Sequence, residues 1–146
     1  MTENHTHRKC VVIIDDDDED VFAVRRAFSK SDPSIDLKHI SDGVAAVDYL
    51  LSYTDYSDLP DLVLLDIKMP GMNGFEILRA LRSSDISRHL PIIMFSTSAS
   101  PKEIRQAYSG GANAHLIKPN SMSELQEFAQ AIAVFWLSAA TLPNRG

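Results

Sequence analysis

Polar side chains able to do chemistry follow directly after short apolar runs of this sequence. An acidic stretch, residues 15–20, follows the first run, and Asp66 follows the run LVLL. The hydroxyls of Ser96 and Thr97 follow a later run, and Lys118 follows the last. Carboxylates gathered at a partly dehydrated site repel one another, so they require a cation or shift their pKa values. Oxygen ligands of this kind suit a hard ion such as Mg²⁺, and an ammonium and a hydroxyl opposite them suit phosphoryl oxygens.

The spacing of the apolar residues predicts the elements that must position these groups. Short, nearly continuous apolar runs are typical of buried strands, whereas apolar residues at every third or fourth position are typical of helices. The two patterns alternate five times, with strands predicted at residues 10–14, 35–40, 62–65, 92–95 and 114–117, and the last helix at about 122–142. This alternation predicts an α/β fold with a parallel sheet and helices on both faces. Because such sheets bind ligands beyond the carboxyl ends of their strands, we expect the polar groups to share one site.

Composition limits the class of protein. The chain has 146 residues, the length of one typical domain, and its 20 acidic against 14 basic residues give a net charge of −6. This acid excess disfavours nucleic-acid binding, which requires clustered Lys and Arg. Cys10 is the only cysteine, residues 1–9 lack the apolar core of a secretory signal, and the longest apolar run, 131–137, is too short to cross a bilayer. We therefore expect one cytoplasmic domain without nucleic-acid or membrane partners.

Each candidate residue also has a purely structural interpretation. Acidic residues favour the start of a helix, which accounts for Asp18 and Glu19. It does not account for Asp66, because a lone carboxylate after four consecutive apolar residues favours a functional role. Ser96 suits a helix cap equally well, and a solvent-facing position is favoured for the side chain of Lys68.

The motifs around these positions resemble a known family. The acid pair after the first strand and the motifs LVLLDIKMPGMNG, IIMFS and HLIKP resemble the receiver domain of two-component response regulators. They carry the candidate residues Asp15, Asp16, Asp66, Ser96 and Lys118. The resemblance extends from about residue 9 to residue 142. It implies a flavodoxin-like, doubly wound sheet with strand order 2-1-3-4-5.

The resemblance implies a phosphoacceptor and a metal site. Asp66 would accept a phosphoryl group from the phosphohistidine of a sensor histidine kinase, and water would later hydrolyse the acyl phosphate. Mg²⁺ would bind to the carboxylates of Asp15, Asp16 and Asp66. The backbone carbonyl of Lys68 would complete this ligand set.

The resemblance also implies residues that bind the phosphoryl group or respond to it. Ser96 and Lys118 stand at the positions of the switch hydroxyl and the phosphoryl-binding lysine, and Thr97 lies where the family varies. His115 stands where family members usually carry an aromatic switch residue. Either its imidazole shares in switching, with a charge sensitive to pH, or it is a strand histidine without a switching role.

Motifs outside the site indicate a subfamily of the response regulators. DDDDEDVFAVRRAF, STSASPKEI and the ending FWL…TLP resemble single-domain regulators paired with phytochrome-type histidine kinases. The expected domain limits are a flexible N-terminus at 1–8, a receiver domain at 9–142 and a tail at 143–146. Because no output domain is expected, the protein would either signal through its own surface or pass on or drain the phosphoryl group.

The last predicted helix supplies a candidate interface. Phe135, Trp136 and Leu137 are consecutive, so at about 100° per residue they span roughly 200° of the helix and cannot all face the core. We assign these three residues to a partner interface. The resembling subfamily implies that the partner is a second copy of the chain.

A competing interpretation is an enzyme. VVIIDDDD also resembles the start of haloacid-dehalogenase-type phosphatases, with Asp15 as nucleophile and Asp17 as acid. Those enzymes need further aspartates after the lysine, and this chain has none beyond Asp85. Asp66 would also be left unexplained. We therefore favour a response regulator over an enzyme.

Overall fold

Residues 8–145, the part of the chain described by a computed structural model, form a parallel sheet of five strands, each followed by an α-helix. The strands are β1 (Cys10–Ile14), β2 (Asp36–Ile40), β3 (Leu62–Leu65), β4 (Ile92–Ser96) and β5 (Ala114–Ile117). The helices are α1 (Asp18–Ser31), α2 (Gly43–Leu51), α3 (Gly74–Arg82), α4 (Pro101–Ser109) and α5 (Met122–Val134). The strand order β2-β1-β3-β4-β5 confirms the predicted fold. Residues 1–7, most of the predicted flexible segment 1–8, lie outside the described residues.

The register of the sheet aligns the ends of its central strands. Ile14 of β1 lies opposite Leu65 of β3, so Asp15 and Asp66 emerge side by side. Ile117, the last residue of β5, lies opposite Ser96. The polar residues that follow these strands therefore lie at one edge of the sheet, as the alternating pattern predicts.

Two apolar layers hold the sheet between the helices. Along β1, the alternate residues Val12 and Ile14 pack against α2 and α3, whereas Val11 and Ile13 pack against α1 and α5. Side chains of successive strand residues point to opposite faces. Both faces of the central strands are thus buried, which explains why their sequences are continuously apolar.

The end of α5 departs from the predicted regular helix. Phe135–Ala139 form a π-helical turn, in which the amide of Ala140 donates to the carbonyl of Phe135 at 2.8 Å. The extra residue in this turn shifts the inward-facing position by one, so Leu137 rather than Trp136 enters the core. Leu137 is 2% exposed, Trp136 is half-buried and Phe135 is 56% exposed. The assignment of Leu137 to a partner interface is therefore wrong.

The last described residues, which fall in the segment predicted as a tail at 143–146, pack against the domain. Asn144 is buried, and its side-chain amide donates to the Leu59 carbonyl and to Asp61 Oδ1, both at 2.9 Å. Asp61 is itself fully buried and also accepts a hydrogen bond from the Cys10 amide at 2.9 Å. This buried carboxylate fastens the chain end to the amino edge of the sheet.

The segment Met122–Arg145 meets the length and hydropathy requirements for crossing a membrane. Those two properties are shared by core helices of soluble domains. In this fold, α5 lies along the sheet and packs against α1 through Leu125, Ala129 and Ile132. One face of this segment therefore lies in the core, while most of its residues are exposed or half-buried.

We predict that Leu137→Ala lowers the free energy of unfolding by about 2–5 kcal/mol, because it leaves a cavity in the core. Leu51→Ala makes the same change at a residue that is 40% exposed on α2, and we expect it to cost less than about 1 kcal/mol. Urea unfolding of both variants measures the difference. Equal costs would contradict the inward placement of Leu137.

Candidate functional site

The backbone at the carboxyl edge of the sheet fixes three functional residues. The amide of Asp66 donates to the Ile14 carbonyl at 2.9 Å, and the amide of Lys118 donates to the Ser96 carbonyl at 2.8 Å. Gly74 closes the loop after β3, where any Cβ would clash with the carbonyl oxygen of Asp66. The glycine in LVLLDIKMPGMNG is therefore required by close packing beneath the site.

Lys118 lies at the centre of the site. Its Nζ is 2.7 Å from Asp15 Oδ2, 2.8 Å from Asp20 Oδ2 and 3.3 Å from Asp66 Oδ2. The side chain of Lys118 is only 9% exposed, so the ammonium is held by carboxylates and not by water. Such charge-assisted hydrogen bonds are the strong ones in proteins.

Burial acts differently on the pKa values of Lys118 and Asp66. Burial opposes the charge of Lys118, but the hydrogen bonds that its ammonium donates to Asp15 and Asp20 outweigh this effect and raise the pKa of Lys118 above the ordinary value. Burial also raises the pKa of Asp66, an effect that the Lys118 charge reduces and the Asp15 charge reinforces. Asp66 is thus a carboxylate whose ionised form is disfavoured in the folded protein.

Asp15 is held by groups from β2 and from the start of α1. It is 1% exposed, and its Oδ1 accepts the Asp17 amide at 2.9 Å. His39 Nε2 lies 2.7 Å from the Asp15 carbonyl oxygen. Because a carbonyl can only accept, Nε2 must carry the proton in this contact. No sequence motif marks His39, which lies in the half-exposed strand β2.

Three carboxylates are arranged to bind a cation. One oxygen from each of Asp15, Asp16 and Asp66 lies within 4.8 Å of the others. Asp15 and Asp66 are buried, whereas Asp16 is exposed, so the cluster opens to solvent. An all-oxygen donor set with an open side fits a hard divalent ion that keeps part of its water shell. The backbone carbonyl of Lys68 as a further ligand stays a prediction.

The cluster opens into a groove of about 470 Å³. Its walls comprise Asp16, Asp17, Asp18, Asp20, Asp66, Lys68, Thr97 and Lys118. Lys68 and Thr97 are both exposed, so their side chains border the groove while remaining hydrated. The solvent-facing interpretation of Lys68 and its place beside the site are therefore compatible.

Ser96 is buried at the end of β4. Its Oγ accepts the Ser98 amide at 3.2 Å, and the hydroxyl of Ser98 donates to Glu103. The Ser96 hydroxyl thus belongs to a hydrogen-bonded loop that leads into α4. Its role as a switch stays a prediction.

His115 is half-buried on β5. Its amide donates to Tyr108 Oη at 3.2 Å, while its Nε2 is buried and has no hydrogen-bond partner among the described residues. Burial lowers the pKa of the imidazole, although Glu103 acts in the opposite direction. A neutral ring at pH 7 follows, and the switching role of His115 stays a prediction.

The sequence model of the response regulator receiver domain matches residues 11–130. The chain belongs to this family. It is therefore a two-component signalling domain, and the family match favours this interpretation over a phosphatase. Receiver domains work with sensor histidine kinases and bind divalent metal ions.

Several related regulators share the fold over almost the whole chain. The phosphorylated cyanobacterial phytochrome response regulator RcpA is 30% identical, with a TM-score of 0.84 over 93% of this chain and 99% of its own. RPA3017, from red light signalling of R. palustris, is 36% identical, with a TM-score of 0.83 over 92% of this chain and 98% of its own.

Two further relatives show the range of the family. Rcp1 from Synechocystis is 27% identical over 98% of this chain and 99% of its own, and one of its solved forms is bound to Mn²⁺. FilR2 from Methanothrix harundinacea, named a probable methanogenesis regulatory protein, is 33% identical over 87% of this chain and 83% of its own.

We predict that Asp66→Asn raises the melting temperature at pH 7. The pKa of Asp66 is higher in the folded than in the unfolded protein. The protonated carboxyl therefore stabilises the fold below the unfolded pKa of about 3.9, and this stabilisation is lost as pH rises through the folded-state pKa. Asparagine removes the cost of the buried charge at pH 7, and the difference from the parent should vanish in acid. Thermal unfolding in EDTA from pH 3 to pH 8 measures it.

Asp18→Asn is the control for that experiment. Asp18 is exposed in the first turn of α1, where its charge favours the helix, so its replacement should not raise the melting temperature. A melting temperature of Asp66→Asn at or below the parent value at pH 7 would contradict the proposed cost of ionising Asp66.

Proposed function

We propose that Asp66 accepts a phosphoryl group from the phosphohistidine of a sensor histidine kinase. The observation that carries this proposal is the orientation of its carboxylate: Oδ1 accepts the Ile67 amide at 2.8 Å, and Oδ2 faces Lys118 at 3.3 Å. Both oxygens of this carboxylate are thus oriented by hydrogen bonds at the floor of an open groove. That orientation suits in-line attack of the carboxylate on the phosphorus of a donor that enters the groove.

The transfer forms a bond between phosphorus and an Asp66 oxygen and breaks the phosphorus–nitrogen bond of the donor. Lys118 neutralises charge on the transferred oxygens, since its ammonium lies beside Asp66 and remains protonated. Water later attacks phosphorus, releases inorganic phosphate and restores the Asp66 carboxylate. Thr97 and Lys68 border the groove, where they are placed to affect access of that water.

Asp15, Asp16 and Asp66 are the residues that would hold Mg²⁺. When bound, the ion supplies positive charge for the transferred phosphoryl oxygens. The Mn²⁺-bound form of Rcp1 supports a divalent ion in a relative. Mg²⁺ in this chain is the proposal that its all-oxygen donor set favours.

A phytochrome-type histidine kinase in the cytoplasm is the partner we propose. RcpA is named a phytochrome response regulator, and RPA3017 belongs to red light signalling. Both match more than nine-tenths of this chain. The flanking motifs at α1 and after β4 support the same pairing.

We predict that Asp66→Asn lowers phosphorylation by acetyl phosphate or by phosphorylated kinase at least a hundredfold, because an amide is a poor nucleophile. Asp18→Asn lies in the same groove and should keep labelling within about threefold of the parent. Quantitative labelling with a radioactive donor, with and without EDTA, measures both. Retained labelling of Asp66→Asn would overturn the assignment.

We further propose that the surface formed by α5 and β5 binds a second copy of the chain. Val134 and Phe135 are 60% and 56% exposed on the end of α5. An apolar groove of about 350 Å³ lies beside Phe135 and is also lined by Phe128 and Trp136. A projecting aromatic beside an apolar groove suits a twofold contact, in which each copy fills the groove of the other.

We predict that Phe135→Ala weakens the dimer at least tenfold, because it removes the exposed aromatic beside the groove. Phe22→Ala is the matched control, since Phe22 is 62% exposed on α1 and does not line the groove beside Phe135. Sedimentation equilibrium of both variants, with and without beryllofluoride, measures the dissociation constants. Equal effects of the two changes would count against this surface.

A further inference from the structure

Asp20 belongs to the site without belonging to the proposed metal ligands. Its Oδ2 accepts a hydrogen bond from Lys118 Nζ at 2.8 Å. This distance is shorter than the 3.3 Å between Lys118 Nζ and Asp66 Oδ2. In the resting protein, Lys118 is therefore held more closely by Asp20 than by the phosphoacceptor.

The hydrogen-bonding capacity of Lys118 is fully used in this arrangement. A lysine ammonium has three N–H donors, and Asp15, Asp20 and Asp66 provide an acceptor for each. A phosphoryl group on Asp66 brings further anionic oxygens into the same groove. For Lys118 to bind one of them, it must give up one of its carboxylate partners.

Burial decides which of these partners is released. The Asp15 side chain is 2% exposed and is also fixed by the Asp17 amide. The Asp20 side chain is 39% exposed, so water can replace Lys118 there. An ionised group left unpaired in the interior is far more costly than one that becomes hydrated. Asp66 carries the phosphoryl group itself and its side chain is only 11% exposed, so of the two remaining partners Asp20 is the one that Lys118 can leave.

We propose that Asp20 is a positioning residue that restrains Lys118 in the resting state and so limits the uptake of a phosphoryl group at Asp66. This proposal rests on the proposed function of Asp66 as phosphoacceptor. The release of Lys118 from Asp20 accompanies phosphoryl binding, and the Asp20 carboxylate then turns to solvent.

The alternative interpretation is that Asp20 only stabilises the start of α1. It lies in the first turn of α1, where any carboxylate interacts favourably with the helix dipole. Asp18 lies in the same turn and lines the same groove, but the structure gives it no ion pair with Lys118 among the described residues. Asp18→Ala therefore removes the same charge without removing the restraint.

The test uses the full chain with Mg²⁺ and beryllofluoride as the phosphoryl analogue. We expect Asp20→Ala to bind beryllofluoride about fivefold to tenfold more tightly than the parent, as expected for loss of one charge-assisted hydrogen bond. Asp18→Ala should change the affinity less than about twofold, and Asp20→Glu, which restores the acceptor, should return it to about the parent value. Fluorine NMR titration measures all four proteins.

A second measurement needs neither metal nor analogue. In the metal-free protein, the ε-methylene NMR resonances of Lys118 should shift in Asp20→Ala and stay unchanged in Asp18→Ala. Unshifted Lys118 resonances, weaker binding by Asp20→Ala, or equal effects of the two alanine variants would each overturn the restraint. If the parent protein binds no beryllofluoride, the proposed function fails instead, and the Lys118 resonances still decide whether Asp20 holds the lysine.

Discussion

The ion pairs of Lys118 are the interaction on which this site depends. A single buried ammonium is shared among three carboxylates that arrive from the ends of β1 and β3 and from the first turn of α1. Without that charge, the acidic cluster would be a set of mutually repelling groups at a dehydrated edge. With the Lys118 ammonium in place, the carboxyl of Asp66 can ionise, and the three aspartates Asp15, Asp16 and Asp66 can still bind a cation.

The sheet converts this chemistry into a fixed geometry. Parallel pairing places Ile14 opposite Leu65 and Ser96 opposite Ile117, so the residues that follow reach a common edge. Helices on both faces bury the strands and leave that edge open to solvent. The loop after β3 packs so tightly beneath Asp66 that only glycine fits at position 74. The packing of the strands and helices therefore both fixes the backbone beneath Asp66 and leaves the groove above it open to solvent.

The carboxyl end of the chain shows how local geometry redistributes apolar side chains. A π-helical turn sends Leu137 into the core and leaves Phe135 outside. The buried pair of Asp61 and Asn144 then holds the following residues against the opposite edge of the sheet. The apolar surface proposed to bind a second copy thus lies on a segment that is held by Leu137 in the core and by Asn144 at Asp61.

Sequence patterns alone predicted the strands and their parallel arrangement, because burial on both faces leaves a clear local signal. The strand-end rule and the family resemblance together marked Asp15, Asp16, Asp66 and Lys118 as candidate site residues. Contacts between distant segments leave no such signal. Asp20 was indistinguishable from a helix-capping acid until Lys118, 98 residues away, was placed 2.8 Å from it. His39, Asn144 and the inward turn of Leu137 were likewise decided by tertiary structure, since each depends on which distant backbone or side chain lies within hydrogen-bonding or packing distance.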